Sequence, residues 1–385
     1  MDLTTFRDSG LKYESSMKIL HIITTIERGG AEKAVLTLAM AQKERGHEVT
    51  VAPLKGELDL LPIFRNHGIH ILTHLKDKNP LRQVSLLRKI RDNYEVVHAH
   101  LPRAELVARG ALKQGLLVIT RHNSEQFFPG APKFLSSRVS RCVTKKSTVI
   151  AISNAVLVFL ARNKELHSTA RCSVIYYGYL PTEKKSSKSF EKSRSRLQNS
   201  VVQIGTISRL APQKNLTLLL QLTQNLISRG HNVVTSIVGA GSQEFFLRKW
   251  VSDAGIEESV RFLGKSDRIS EFLQELDFFV LTSTYEGFGL VLLEACDNSV
   301  PIIASNISAI PEVLGSNHPG LFEVGSIESL LQVFEKLFNS KLLQTRVIRE
   351  QRGRLELFSI SNYVIKHDEV YSIFLKLNSD SRRVQ

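Results

Sequence analysis

VVQIGTIS at residues 201–208, NLTLLLQLTQNLISR at 215–229 and VVTSIV at 233–238 decide the fold between them. The first and last are apolar, β-branched runs of strand length, and the middle segment repeats leucine at helical spacing. Strand, helix and strand in succession form a crossover unit, which returns the chain to a parallel sheet. The turn after the first strand carries Arg209 and Lys214, and the turn after the second is Gly239-Ala240-Gly241.

Outward from this unit the alternation continues in both directions. Downstream come a helix at 244–254 and strands at 260–263, 278–281 and 301–304. Upstream, KILHIIT at 18–24 reads as a buried strand, followed by Gly29-Gly30 and a helix at 31–45. Further strands are expected at 48–52, 96–100, 117–120 and 149–152. The spacing predicts an α/β protein of two Rossmann-like, doubly wound domains facing a central cleft. The first spans 1–181, with 1–16 as a mobile extension, and the second spans 201–362. The polar, Ser-rich stretch at 182–200 (TEKKSSKSFEKSRSRLQNS) reads as a linker. Residues 340–378 are helical again, and 363–385 are expected to form a C-terminal helix packing back on the first domain.

Composition narrows the function classes. The chain has 385 residues and a formal net charge of +14. Residues 1–200 carry a net +16 and residues 201–385 a net −2. Such asymmetry marks an anionic partner or, more plainly, a solvated basic surface. Cys142, Cys172 and Cys296 stand far apart with no C-x-x-C pair, which excludes a disulfide framework and suits a reducing compartment. No apolar run of about 18 residues exists. The first 18 residues lack the basic-then-apolar order of a signal peptide. A soluble, cytoplasmic protein is expected.

In open parallel sheets ligands bind beyond the C-terminal strand edges, so chemistry is sought in the turns after strands. TYEGFGLVLLEA at 284–295 follows a strand and opens a helix. Gly287 and Gly289 allow close backbone approach, and the helix N-terminus offers N–H groups to an anion. Glu286 precedes the helix and Glu294 sits inside its apolar run, where hydroxyl donors from a sugar or ribose would satisfy a carboxylate. By themselves two glutamates at this spacing more often serve structural pairing or helix capping. Arg209 and Lys214 together suit a diphosphate. Gly239 and Gly241 form a G-x-G turn that permits close approach of a ligand, without the remaining dinucleotide fingerprint.

These segments together resemble the retaining glycosyltransferases of family 4, which have the GT-B fold, and the resemblance spans most of the chain. Its most specific marks are E-x7-E (Glu286 and Glu294 around GFG) and the R-x4-K pair Arg209/Lys214. Others are VGAGS at 238–242, VRFLG at 260–264, PIIASNISAIPEVLG at 301–315 and MKILHIITTIERGGAEK at 17–33. ITRHN at 119–123 carries His122; ISNAV at 152–156 and VIYYG at 174–178 complete the set.

The resemblance implies that Arg209 and Lys214 bind the donor diphosphate and Glu294 accepts from the nucleotide ribose. It implies that Glu286 holds donor sugar hydroxyls, and that N–H groups at Phe288, Gly289 and Leu290 contact sugar or phosphate. Gly30 would bring its loop against diphosphate and acceptor, and His122 would contact the transferred sugar. Four positions depart from the pattern: Asn215, Ser299 and the pair Ser308-Ala309 stand where glycine is usual, which would stiffen or narrow the phosphate loop.

His98 and His100, alternate residues of one strand, suit a metal or, with no Cys or carboxylate beside them, a structural or acceptor-side role. No D-x-D triad appears. The resemblance therefore implies a nucleotide-diphosphate sugar held by basic residues and helix dipoles, without cofactor or metal. Basic segments at 81–91 and 133–146 read either as cationic helices resting on an anionic membrane or as ordinary domain helices. No nucleic-acid module is present. The function expected is retaining transfer of a hexose or N-acetylhexosamine, UDP-sugar favoured, to a glycan or lipid-linked acceptor. Surface polysaccharide or lipopolysaccharide synthesis, at the cytoplasmic face of the membrane, is the setting this suggests. A GT-B nucleotide-sugar epimerase and a non-catalytic GT-B binding module are the alternatives.

Overall fold

The structure, a computed structural model, describes residues 16–113, 115–181 and 201–383, with side chains through 377. The expected extension, apart from Ser16, and the expected linker at 182–200 lie outside the described residues. The chain divides into two compact units, residues 1–179 with 358–385, and residues 180–357.

The first unit is built on a seven-stranded sheet in the order β3-β2-β1-β4-β5-β6-β7. Its strands are β1 (Lys18–Ile23), β2 (Glu48–Pro53), β3 (His70–Ile71), β4 (Val96–His100), β5 (Val118–Arg121), β6 (Thr148–Ala151) and β7 (Arg171–Val174). All pair in parallel. The period of two sorts the side chains. Leu20, Ile22, Val97, Ala99 and Ile119 pack on one face with Leu87 of α3 (Pro80–Ile90), Val107 of α4 (Pro102–Ala111) and Val143 of α5 (Lys133–Thr144). Ile23, Val49 and Val51 pack on the other with Val35 and Ala39 of α1 (Gly30–Glu44) and Phe64 of α2 (Leu61–Asn66). The short strands β3 and β7 escape a reading by periodicity because two to four residues at a sheet edge bury no continuous stripe.

The second unit holds six parallel strands in the order β10-β9-β8-β11-β12-β13. They are β8 (Val202–Ile207), β9 (Val233–Val238), β10 (Val260–Gly264), β11 (Phe278–Leu281), β12 (Ile302–Ser305) and β13 (Leu321–Phe322). Leu219, Leu222 and Leu226 of α7 (Leu216–Ser228) bury against Ile204, Ile237 and Val280, which is why this helix repeats leucine. In each sheet the strand order reverses at one place, between β1 and β4 and between β8 and β11. Reversal leaves a crevice at the strands' C-terminal ends, because the flanking crossovers leave to opposite faces.

The last helix belongs to the first unit. Tyr179 N–H donates to Phe358 O at 2.7 Å, and the helix from Ile360 to Arg383 lies on α1, with Arg45 Nε 2.8 Å from Asp368 Oδ2. The division at 357/358 thus falls ahead of the 362/363 boundary read from the sequence. Ile360, Tyr363 and Val364, the start of this helix, are already buried. No helix among the described residues is long and apolar enough to cross a membrane.

Three of the four glycine departures share one backbone feature, while Ala309 is right-handed with φ of −81°. Asn215, Ser299 and Ser308 all have positive φ, at 45°, 59° and 51°. The chain therefore keeps the left-handed turn and carries it with a side chain, rather than changing the path of the loop. Left-handed backbone costs a non-glycine residue about 1–2 kcal/mol, partly offset by the lower chain entropy that glycine would forfeit. Ser299→Gly and Ser308→Gly should each stabilise the second unit by roughly 0.5–1 kcal/mol. An unchanged or lower urea midpoint in both variants would contradict this.

Candidate active site

In the second unit the loops after β8 and β11 meet, since these strands are neighbours across the reversal. Thr284 N–H donates to Gln213 O at 2.8 Å and Thr282 Oγ1 to Lys214 O at 2.9 Å. These bonds seat Lys214 over the second loop, where its Nζ lies 2.6 Å from Glu286 Oε1. Ser283 Oγ donates to the same oxygen at 2.8 Å. The two side chains are only 17% and 10% exposed. A pair so buried loses in desolvation most of what it gains in attraction, so packing alone does not call for these residue types. Arg209, on the same loop as Lys214, is exposed.

Gly239 and Gly241 have a reason that differs from the one expected. A Cβ at Gly239 would lie 1.9 Å from Ser208 O, and one at Gly241 2.3 Å from Leu210 O. What approaches these glycines is the backbone of the loop bearing Arg209, which they let the β9 turn support. Leu210 N–H donates to Ala240 O at 3.0 Å across this contact. Beyond Glu286, Phe288 is buried, and Gly289, with φ of 89°, is the N-cap of α10 (Leu290–Asp297). This glycine cap supplies no side-chain hydrogen bond to the first turn. Glu294 lies further along α10 and is partly buried.

The remaining predicted positions lie in the first unit. Gly30 is the first residue of α1, directly after β1 and its turn. At its neighbour Gly29 a Cβ would meet the carboxylate end of Glu32, with Oε2 at 2.3 Å. Glu32 in turn accepts from Thr25 Oγ1 at 2.7 Å and ties the turn to the helix. His122 follows β5, with Nδ1 2.5 Å from Tyr177 Oη and Nε2 3.0 Å from His100 Nδ1. Burial pushes its pKa down to about 3, so the ring is neutral in the working range. Its neighbour Arg121 anchors the strand end, pairing with Glu105 at 3.0 Å and Glu165 at 3.1 Å. Arg121 also covers the Phe127 ring at 4.7 Å.

Sequence reading did not single out Ser283, Thr282 or Tyr177, which position these groups. It also did not join His21 to His98 and His100. The register does: His21 stands opposite His98 on adjacent strands, and the period of two puts all three on the face under α1. Their ligand atoms lie within 4.8 Å of one another, close enough to hold a metal ion.

The family model described as Glycosyltransferase Family 4 matches residues 28–180, and that described as Glycosyl transferases group 1 matches residues 187–354. The chain belongs to these group 1 glycosyltransferases, with the GT-B fold of two Rossmann-like domains. It is 23% identical over 364 residues to N-acetyl-alpha-D-glucosaminyl L-malate synthase of Bacillus anthracis, covering 89% of this chain and 93% of that one. It is 26% identical to phosphatidyl-myo-inositol mannosyltransferase of Mycobacterium leprae, over 83% of this chain and 86% of the relative. Among solved structures, Anabaena HepE in complex with UDP and glucose superposes with a TM-score of 0.79 at 20% identity. That match covers 92% of this chain and 99% of HepE.

The buried rings set an acid limit on the first unit. Burial lowers His21 and His367 to about 4 and His122 to about 3, and holds His98 and His100 well below the ordinary 6.5. Unfolded histidines take up protons below pH 6.5 while these do not, so stability is lost as pH falls from 6.5 toward 4. Glu105, raised by burial to about 7, acts with the opposite sign: its contribution is present below pH 4.5 and lost as pH rises through 7. Glu44 and Glu165, also raised by burial, act in the same sense as Glu105. Five rings outweigh these three carboxyls, and each ring near 4 costs about 2 kcal/mol at pH 5. The first unit should melt several degrees lower at pH 5 than at pH 7.5. Equal melting at both would contradict the neutral cluster.

Proposed function

We propose that this glycosyltransferase moves a hexose or N-acetylhexosamine from a UDP-sugar to a hydroxyl of a glycan or lipid-linked acceptor, with retention and without a metal. The observation that carries the reading is the Lys214–Glu286 pair at the strand-order reversal. Lys214 is the cation a donor diphosphate would capture from Glu286, and Glu286 is then the acceptor for donor sugar hydroxyls. Arg209 and the start of α10 add charge and N–H groups, and Glu294 takes the ribose. Relatives whose names include glycolipid and capsular polysaccharide enzymes support such acceptors.

The step needs no nucleophile from the protein. The acceptor oxygen bonds to the anomeric carbon as the carbon–phosphate oxygen bond breaks, and the acceptor proton passes to the departing phosphate oxygen. Lys214 and Arg209 stabilise the charge on that leaving group. His122, neutral and with both ring nitrogens hydrogen-bonded, is a contact for the sugar rather than a base.

The acceptor side is assigned to the basic first unit. On α5, Phe134 and Leu135 are 69% and 47% exposed beside Lys133, Arg138 and Arg141, a pattern suited to an anionic membrane surface. On α3, by contrast, Arg88 is engaged, donating to Gly110 O at 2.7 Å.

Donor sugars are to be screened by release of UDP or GDP with acceptor lipids in anionic vesicles. Glu286→Ala and Lys214→Ala should each cut transfer about 100-fold or more while leaving the fold intact. Turnover near wild type in either variant sinks the reading, and an epimerised donor without acceptor would favour epimerase chemistry. Phe134→Ser with Leu135→Ser should weaken vesicle binding several-fold; unchanged binding removes α5 from the membrane contact.

A further inference from the structure

The histidines of the first unit do more than sit together. His122 Nε2 meets His100 Nδ1 at 3.0 Å, His100 Nε2 meets His21 Nδ1 at 2.9 Å, and His21 Nε2 meets Gln42 Oε1 at 2.7 Å. From Gln42 the path continues through its Nε2 to Tyr371 Oη at 3.3 Å, then to His98 Nδ1 at 2.7 Å, and ends with His98 Nε2 at Thr120 Oγ1, 2.7 Å away. Tyr177 Oη, 2.5 Å from His122 Nδ1, closes the other end. Gln42 and the His21, His98 and His100 rings are fully buried, and those rings and His122 are neutral.

A neutral imidazole has one donor and one acceptor nitrogen, so the direction of one bond in such a chain dictates the next. Gln42 Oε1 can only accept. His21 must then carry its proton on Nε2 and accept at Nδ1 from His100 Nε2–H, and His100 must accept from His122 Nε2–H. That leaves His122 Nδ1 as the acceptor for the Tyr177 hydroxyl, and 2.5 Å is a length for an O–H donor rather than an N–H donor. On the far side Gln42 Nε2–H donates to Tyr371, Tyr371 donates to His98 Nδ1, and His98 Nε2–H donates to Thr120. Turning the Gln42 amide over reverses every bond and moves every proton to Nδ1, and no bond is lost. Two complete arrangements therefore exist, and the amide of Gln42 is the group that chooses between them.

We infer that Gln42 is a positioning residue that fixes one tautomer through His21, His100 and His122, and so holds the His122 ring and its backbone in one setting. The consequence for catalysis rests on the proposed placement of His122 at the donor sugar. The relay itself does not. The same accounting bears on a metal: every ring nitrogen of His21, His98 and His100 already has a hydrogen-bond partner, so an ion there would have to break the relay.

The test is nitrogen NMR of the histidine rings in the unliganded full chain, with signals assigned by single His→Gln substitutions. All four of His21, His98, His100 and His122 should carry their proton on Nε2. Gln42→Met, similar in volume but with no acceptor oxygen, should convert His21, His100 and His122 to tautomer mixtures. Gln42→Glu, which keeps an acceptor toward His21, should retain Nε2–H on those three. A proton on Nδ1 of His21, His100 or His122 in the wild type overturns the inference. So does a single unchanged tautomer in Gln42→Met, or loss of Nε2–H at His122 in Gln42→Glu. If Gln42→Met fails to fold, the other two spectra still decide. Failure of His122→Ala to lower transfer would remove His122 from the sugar site without touching these spectra.

Discussion

One ion pair organises the second unit. Lys214 and Glu286 are 72 residues apart, yet the reversal of strand order makes their strands neighbours and their loops a single layer. The pair is mostly out of water, where mutual attraction does little more than offset lost hydration. In the proposed function the pair keeps both charges in place and ready to separate. A diphosphate would draw Lys214 away, and the carboxylate left behind needs donors of the kind a sugar presents. Around it the other features serve as supports: glycines at 239 and 241 admit a neighbouring backbone, and Thr282 and Thr284 tie one loop to the other.

The first unit solves a different problem with the same fold. Its sheet places histidines where a strand interior is ordinarily aliphatic, and burial makes them neutral. Neutral rings without partners would be costly, so each is paired along one path from Tyr177 to Thr120. The helix that closes this path, from Ile360 to Arg383, arrives from the far end of the chain. It supplies Tyr371, and its Asp368 binds Arg45 of α1. Basic stretches are most of what composition shows of this unit; its interior is a polar network that composition does not reveal.

The strands were legible as short, largely β-branched or apolar stretches ahead of a turn, and β4, β9 and β11 have the limits read from the sequence. The edge strands β3, β7 and β13 were not: two residues carry no period in β3 and β13, and β7, RCSV, has no apolar run. Glu286 and Lys214 were legible as motif members, but nothing in the sequence states that they touch; that follows from strand order, which is a property of topology. Asn215, Ser299 and Ser308 looked like lost flexibility, whereas their positive φ shows the same turns held by costlier residues. The His21–His98–His100 face was half legible, through the alternation in VVHAH, and lacked the register that brings His21 alongside.

The central claim is that Lys214 serves the diphosphate and Glu286 the sugar, although the two are paired in the unliganded protein. Calorimetric titration of the full chain with UDP, and with GDP in parallel, separates these roles. Lys214→Met should lose binding of the preferred nucleotide by 10-fold or more, about 1.4 kcal/mol. Glu286→Gln, which frees Lys214 from its partner, should bind that nucleotide as tightly as the wild type or more so. Wild-type affinity in Lys214→Met, or equal loss in both variants, would contradict the account.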